Sequence, residues 1–358
     1  MELGWKQSFK LQRDVRSVLG LDIGLSSIKA VSLQKDEAGY AVTACGLAQI
    51  PTNGDDGNRR KRLVNIVRTI RECLDMSGAK AGLAVCGVSG PEVVVRDFGF
   101  PAMPQEEIDG AVQLEASQAC PFNTEDTTVD YQVISKSDDN IRGILVAATN
   151  ALIKSKVYLA NEAALSCVIV DVDGLALLNC FRQLETHVPG QATAILNIGG
   201  SYTNLAIVSD DGWPFVRDMI SVGDDIVRKM AAEKDLPPAT IRQILSGNAE
   251  IDQSDYIESL ERASKKLVAD VVETLRYYDT QKKAEPLEKM FVCGDFALAD
   301  GFIDVLNRQL AVETVLWNPF HKMRCDTGRD HRAMLQKNML HKTGPAMAVA
   351  AGLAMRMI

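Results

Sequence analysis

Hydrophobic and polar positions set a distinctive pattern in the stretch Leu19-Gly20-Leu21-Asp22-Ile23-Gly24-Leu25-Ser26-Ser27-Ile28-Lys29-Ala30-Val31-Ser32-Leu33, where apolar residues flank a polar Asp-x-Gly-x-Ser-Ser core on both sides. Such a run predicts two strands joined by a tight hairpin rather than a strand running into a helix. The pattern returns in the second half as Ala194-Ile195-Leu196-Asn197-Ile198-Gly199-Gly200-Ser201-Tyr202-Thr203-Asn204-Leu205-Ala206-Ile207-Val208. One such glycine turn also fits an ordinary surface hairpin. Two long-separated copies predict duplicated domains facing each other across a cleft.

The rest of the chain reads as alternating strands and helices. Tyr40 to Ile50 predicts a strand, Pro51 to Asn58 a loop, and Leu63, Ile66, Val67, Ile70 and Leu74 an apolar stripe at helical spacing, ended by Gly78. Ala81 to Val88 and Val93 to Phe98 are the next strands. From Pro101 the pattern changes: a helix over Glu106 to Ala119 with an acidic first turn, strands over Thr128 to Ser135 and Ile141 to Ala147, then a helix from Asn150 to Ala164. This predicts a small inserted α+β unit. Cys167 to Val172 returns as a strand and Gly174 to Leu184 as a linking helix. The second half continues with a turn at Asp210-Asp211-Gly212, a strand from Trp213 to Ile220 and a helix near Ile226. A loop over Gly247 to Gln253 precedes a long helix from Tyr256 to Lys282. Beyond it come a strand over Lys289 to Cys293, a helix over Phe302 to Leu310, a short edge strand at Val312 to Val315 and a closing apolar helix, Ala346 to Met355. The expected units are an arm over 1–17, a first lobe over 18–98 and 168–190, an insert over 99–167 and a second lobe over 191–358.

Composition narrows the chemistry. A chain of 358 residues with 46% hydrophobic content makes two substantial cores. Its formal charge of −8 argues against a nucleic-acid partner. Eight scattered cysteines without a C-x-x-C pair suit a reducing compartment, and no apolar run is long enough to span a bilayer, so a cytoplasmic location is expected. The arm, with Trp5, Phe9 and Leu11 among Lys6, Lys10, Arg13 and Arg16, reads either as a frayed tail or as an amphipathic contact. The run Arg59-Arg60-Lys61-Arg62 has the wrong sign for a helix start and fits a solvated face or an anion contact. There is no G-x-x-x-x-G-K-[ST], H-E-x-x-H or G-x-S-x-G. His321 and His331 fall in a polar, irregular stretch and read as surface residues, which leaves a Ser/His/Asp hydrolase without support. Between two facing hairpins, backbone N–H groups can converge on phosphates while Asp22 holds a hydrated divalent cation. Lys29 suits a phosphate contact or a groove-facing strand position equally.

The sequence resembles the PilM family of type IV pilus assembly proteins, within the actin/Hsp70/sugar-kinase fold and close in architecture to FtsA. The likeness runs from Leu19 to the C-terminus. It rests on Gly20-Leu21-Asp22-Ile23-Gly24, Pro101-x-x-Pro104-x-x-Glu107 with Glu115, Pro121-Phe122, Asp130-Tyr131, Leu145-Val146-Ala147-Ala148, Val170-Asp171-Val172-Asp173, Leu275-Arg276-Tyr277-Tyr278 and Gly352-Leu353-Ala354. The resemblance implies an α/β protein with two actin-like (ribonuclease H-like) lobes around a nucleotide cleft and a small α+β subdomain inserted in the first lobe. It implies ATP and Mg2+ as cofactors. It further implies a groove between the first lobe and the insert for the cytoplasmic N-terminal tail of a PilN-like bitopic membrane protein, with a pilus motor ATPase and self-association as further contacts, at the inner membrane.

Carried over residue by residue, Asp22, Gly24, Ser26, Ser27 and Lys29 make the first phosphate site and Gly199, Gly200, Ser201 and Thr203 the second, while Gly223 and Gly294 border the nucleotide. Asp22 is the metal residue, acting through water. No catalytic residue is assigned; Asp171 and Asp173, on the interlobe connection, are the carboxylates offered for orienting water. Three positions depart from the family pattern: Asn197 stands where Asp is usual, Asp224 where a second Gly is frequent, and Gly294-Asp295 replaces a more glycine-rich loop. A carboxylate near phosphates repels them unless a cation intervenes. The readings that follow are a nucleotide-responsive scaffold, a scaffold of the same fold with no nucleotide, and a phosphotransferase.

Overall fold

The computed structural model describes residues 18–51, 59–80, 82–210, 213–247, 253–281, 284–326 and 331–356. The expected arm over 1–17, most of the Pro51 to Asn58 and Gly247 to Gln253 loops, and two residues of the Asp210-Asp211-Gly212 turn lie outside them.

The first sheet is built from β1 (Leu19–Ile23), β2 (Ser27–Asp36), β3 (Gly39–Gln49), β4 (Leu83–Val88), β8 (Ser166–Val172) and β14 (Arg324–Cys325), in the order β14-β3-β2-β1-β4-β8. The second contains β9 (Ala192–Ile198), β10 (Thr203–Val208), β11 (Phe215–Met219), β12 (Leu287–Cys293) and β13 (Glu313–Leu316), in the order β11-β10-β9-β12-β13. In the first sheet β3, β2 and β1 run antiparallel and β1, β4 and β8 parallel. The same sequence of pairings recurs through β11, β10 and β9 and then β9, β12 and β13. The repeated turn motif is therefore the visible part of a duplicated sheet.

A third sheet, β5-β7-β6, joins β5 (Val93–Pro101), β6 (Thr127–Lys136) and β7 (Asn140–Thr149), all antiparallel. With α2 (Gln105–Ala119) it encloses a separate small core of Phe98, Ile108, Val112, Ala116, Ile141 and Leu145. Its boundary differs from the expected 98/99 division. β5 pairs along its length with β7, so the insert begins between Val88 and Val93. At its other end, α3 (Asn150–Glu162) sends Leu159 and Ala160 into the core beneath β1, with Leu19, Leu21 and Ile70, and belongs with the first sheet.

The helices α1 (Arg59–Ser77) and α4 (Asp173–Leu184) cover the first sheet, and α5 (Gly223–Lys234), α6 (Pro238–Leu245), α7 (Gln253–Asp279) and α8 (Phe302–Gln309) surround the second. Two helices depart from the sequence reading. Pro237-Pro238 starts α6, with Pro238 at a first-turn position where its missing N–H costs nothing. The stretch around His331 is not irregular but is α9 (His331–Thr343), docked through Gln336, whose side-chain amide donates to the Ser77 carbonyl at 2.7 Å. The closing α10 (Ala348–Ala354) was expected in the second lobe. It packs instead against β1 and α4 in the core between the sheets, with Val31, Leu177 and Phe181 from one side and Ile195 and Ala206 from the other. Gly20 makes that approach possible, because a Cβ there would lie 2.0 Å from the Ala350 carbonyl oxygen.

Candidate functional site: the interlobe cleft

Both polar turns close in the same way. Gly24 N–H donates to the Ser27 carbonyl at 3.1 Å, and Gly199 N–H donates to the Tyr202 carbonyl at 3.1 Å. They meet across the sheets: a Cβ on Gly200 would stand 2.9 Å from Ser26 Oγ. Between them lies a cavity of about 360 Å³, lined on one side by Asp22, Gly24, Ser26 and Lys29 and on the other by Gly199, Gly200, Ser201 and Gly294. Sequence motifs from opposite halves of the chain thus share one pocket, of a size that takes a small ligand.

Three expected site residues are elsewhere. Thr203 is fully buried and its hydroxyl donates to the Ser221 carbonyl at 2.6 Å. Ser27 is buried too, but its hydroxyl points across the lobes to Asp295 Oδ2 at 3.1 Å. Gly223 is covered by Phe296, whose side chain would lie 2.5 Å from a Cβ at that position. Of the two candidate carboxylates, Asp171 turns away to pair with Arg356 at 2.7 Å, whereas Asp173 lines the cavity.

Asp173 heads α4, and its Oδ1 is shielded from solvent with no hydrogen-bond partner. A Cβ on Gly87 would sit 2.1 Å from that oxygen, so glycine makes the space for it. Burial, then the negative charge of Asp22, push the Asp173 carboxyl up to about 7, against the opposing influence of Lys156 and a Ser89 hydrogen bond. An orphaned carboxylate oxygen in a cavity that also holds Asp22 fits a hydrated divalent cation.

The centre of the pocket is Lys29, 5% exposed, at 2.7 Å from Asp295 and 3.5 Å from Asp22. It faces Asp22 directly in the β1/β2 register. Burial works against its charge, but the coulombic pull of Asp295 and Asp22 outweighs it and raises the ammonium pKa, so Lys29 stays protonated.

The departures from the family pattern have distinct fates. Asn197 donates its amide to Asn204 Oδ1 at 2.8 Å, and Asn204 donates in turn to Asp218 at 2.7 Å. Asp224 is drawn off to Arg242 at 2.9 Å and does not line the cavity. Asp295 alone of the three brings a carboxylate to the cavity lining, beside Lys29. Sequence reasoning missed Lys156, which lines the cavity and donates to the Ile23 carbonyl at 2.8 Å, because it arrives from α3 with no local motif. His187, Asp210 and Glu285 gather within 4.8 Å at the opposite ends of β9, β10 and β12 from the turn, and are not part of this pocket.

A second concavity, of about 750 Å³, begins at Gly90-Pro91, where the chain leaves the first sheet. One wall is the open edge of β5 and the other the open edge of β11, since each ends its sheet. Tyr202, Met219, Ile220 and Tyr277 supply apolar surface, with Ile220 67% exposed.

Two sheets that share a five-strand core and whose facing turns border one cavity make an actin-like fold. The chain belongs to the type IV pilus assembly protein PilM family, whose model matches residues 20–358. Among solved structures it is similar to the PilM–PilN type IV pilus biogenesis complex, at 22% identity and a TM-score of 0.80, covering 95% of this chain and 98% of that one. It is also similar to the ethanolamine utilization protein EutJ from Carboxydothermus hydrogenoformans (14% identity, TM-score 0.54, 94% and 88% covered) and to diol dehydratase-reactivating factor in nucleotide-free form (11%, 0.51, 94% and 99%). These likenesses establish a shared fold. No helix among the described residues is long and apolar enough to cross a membrane.

Proposed function

We propose that this protein is a cytoplasmic scaffold of a type IV pilus or related secretion platform, held at the inner membrane by the cytoplasmic N-terminal tail of a PilN-like bitopic protein. The observation that carries this reading is the groove between β5 of the insert and β11 of the second sheet, which differs from the expected groove between the first lobe and the insert. Among the described residues no strand pairs with the outer edge of β5 or of β11, which leaves backbone donors and acceptors for an extended peptide held by strand addition, and Ile220 and Tyr277 offer surface for its apolar side chains. Contact with a pilus motor ATPase and self-association belong to the same platform role. The test is calorimetry of the full chain with a synthetic tail peptide. Ile220→Asp, which places a charge in the groove without disturbing a core, is expected to weaken binding by at least about tenfold. Tight binding unaffected by that change puts the tail elsewhere.

For the cleft we propose ATP with Mg2+ as the ligand. Asp22 and Asp173 would hold the hydrated cation, Lys29 and the turn N–H groups of both hairpins would bind phosphates, and the cation would neutralise phosphate charge. Asp22→Ala is expected to abolish saturable binding of Mg-ATP by the folded protein. A second reading, a scaffold without nucleotide, is favoured by Phe296, which covers Gly223 where the nucleotide was expected to border it. Absence of binding by the wild type decides for that reading.

A further inference from the structure

We infer that Asp295 makes phosphate binding in the cleft dependent on a divalent cation, so that the pocket admits metal-bound polyphosphate and rejects the free anion. This deepens the nucleotide reading and rests on it. Asp295 follows β12 of the second lobe, yet its Oδ2 accepts from Lys29 at 2.7 Å and from Ser27 at 3.1 Å, both on β2 of the first. The Lys29 ammonium lies 3.9 Å from where a Cβ on Gly24 would stand, and it is already shared between two carboxylates, Asp295 and Asp22.

Counting these three groups, one positive charge faces two negative ones, and the other charged side chains lining the cavity are two of each sign, Lys156 and Arg62 against Asp173 and Glu92. An incoming phosphate must displace Asp295 from Lys29, leaving that carboxylate beside the phosphate oxygens. Like charges a few ångströms apart in a partly desolvated pocket repel strongly. A divalent cation held by the cavity carboxylates would supply the positive charge that reverses the sign of the interaction. The side chain of Asp295 is 30% exposed, so it has room to rotate from Lys29 toward such a cation without breaking the core. Neutralising it should free Lys29 for the anion alone.

The test uses the full chain and two probes, inorganic pyrophosphate and ATP, each titrated calorimetrically with Mg2+ and with EDTA. Wild type is expected to lose at least about tenfold in pyrophosphate affinity when the cation is removed. In Asp295→Asn, which keeps the size of the side chain and an acceptor for Ser27, the loss should shrink to under about threefold, with metal-free binding tighter than in wild type. Asp295→Ser serves as a second neutral variant, and thermal melts check that both fold. An unchanged Mg2+ dependence in both variants overturns the inference, as does wild type binding metal-free pyrophosphate as well as the metal complex. Pyrophosphate binding that follows Asp295 while ATP binds to neither form leaves the inference standing and removes the adenine nucleotide. ATP binding to wild type regardless of metal does the reverse. No binding of either probe to any form ends both.

Discussion

At Asp173 a single carboxyl carries a pH signature. Its ordinary value in an unfolded chain is near 3.9, whereas burial and Asp22 push it up to about 7 in the fold. Between about pH 4 and 7 the folded protein therefore holds a proton that the unfolded chain has lost, and stability falls as pH rises through that window, levelling off above it. Asp173→Asn removes the penalty. Urea unfolding should show the variant close to wild type near pH 4 and more stable at pH 8 by roughly 2–4 kcal/mol. A gap that does not widen with pH would mean that this carboxyl titrates normally. Gly87 belongs to the same residue-scale argument. Its substitution by alanine drives a Cβ into Asp173 Oδ1 and to 3.2 Å from Leu353, and should cost about 1–3 kcal/mol.

Among the elements, α10 shows how far local pattern reaches and where it stops. A Cβ on Gly352 would stand 2.1 Å from the Ala176 carbonyl oxygen, so α10 and α4 touch through backbone. Gly352→Ala should lower stability by roughly 1–3 kcal/mol, while Gly110→Ala, at an open position on α2, should be neutral or raise it by up to about 1 kcal/mol. Thermal denaturation of the pair checks both signs, and equal effects would contradict the packing. The sequence predicted α10 as an apolar helix packed on a sheet, because its residues from Ala348 to Ala354 are all small or apolar. It could not show which sheet, since the partner residues Gly20 and Ala176 lie far off in the chain. β5 failed in the same way: Val93 to Phe98 was predicted as a strand, but its pairing with β7 is a long-range fact. The two hairpins were legible because each is a complete local unit of strand, turn and strand. α6 and α9 were not, the first because Pro237-Pro238 reads as a break, the second because its anchor is the polar Gln336 rather than an apolar stripe. In the site, several motif residues line the cavity, while the inward turn of Ser27 and Thr203, the placing of Lys156 and the turning away of Asp171 toward Arg356 depend on tertiary neighbours.

At the scale of the whole molecule, the cleft and the groove are joined by a hydrogen-bond chain. Asn197 and Asn204 line the cleft; Asn204 donates to Asp218 Oδ1 at 2.7 Å, and Asp218 Oδ2 accepts from Gly90 N–H at 2.6 Å, at the mouth of the groove. Burial raises the Asp218 carboxyl from its ordinary range, so its charge depends on keeping both donors. A ligand that draws on Asn197 or Asn204 therefore alters the setting of β11, one wall of the groove, and linkage requires the effect to be reciprocal. Mg-ATP is expected to change affinity for the tail peptide by about fivefold or more, and the peptide to change affinity for Mg-ATP by the same factor. Asn204→Ala, which removes the middle link, should reduce both factors to near one while leaving each ligand able to bind alone. Calorimetry in the four combinations measures the cycle. A wild-type factor of one would show that the two cavities act independently, and a factor that survives Asn204→Ala would place the coupling in the movement of the lobes rather than in this chain of polar side chains.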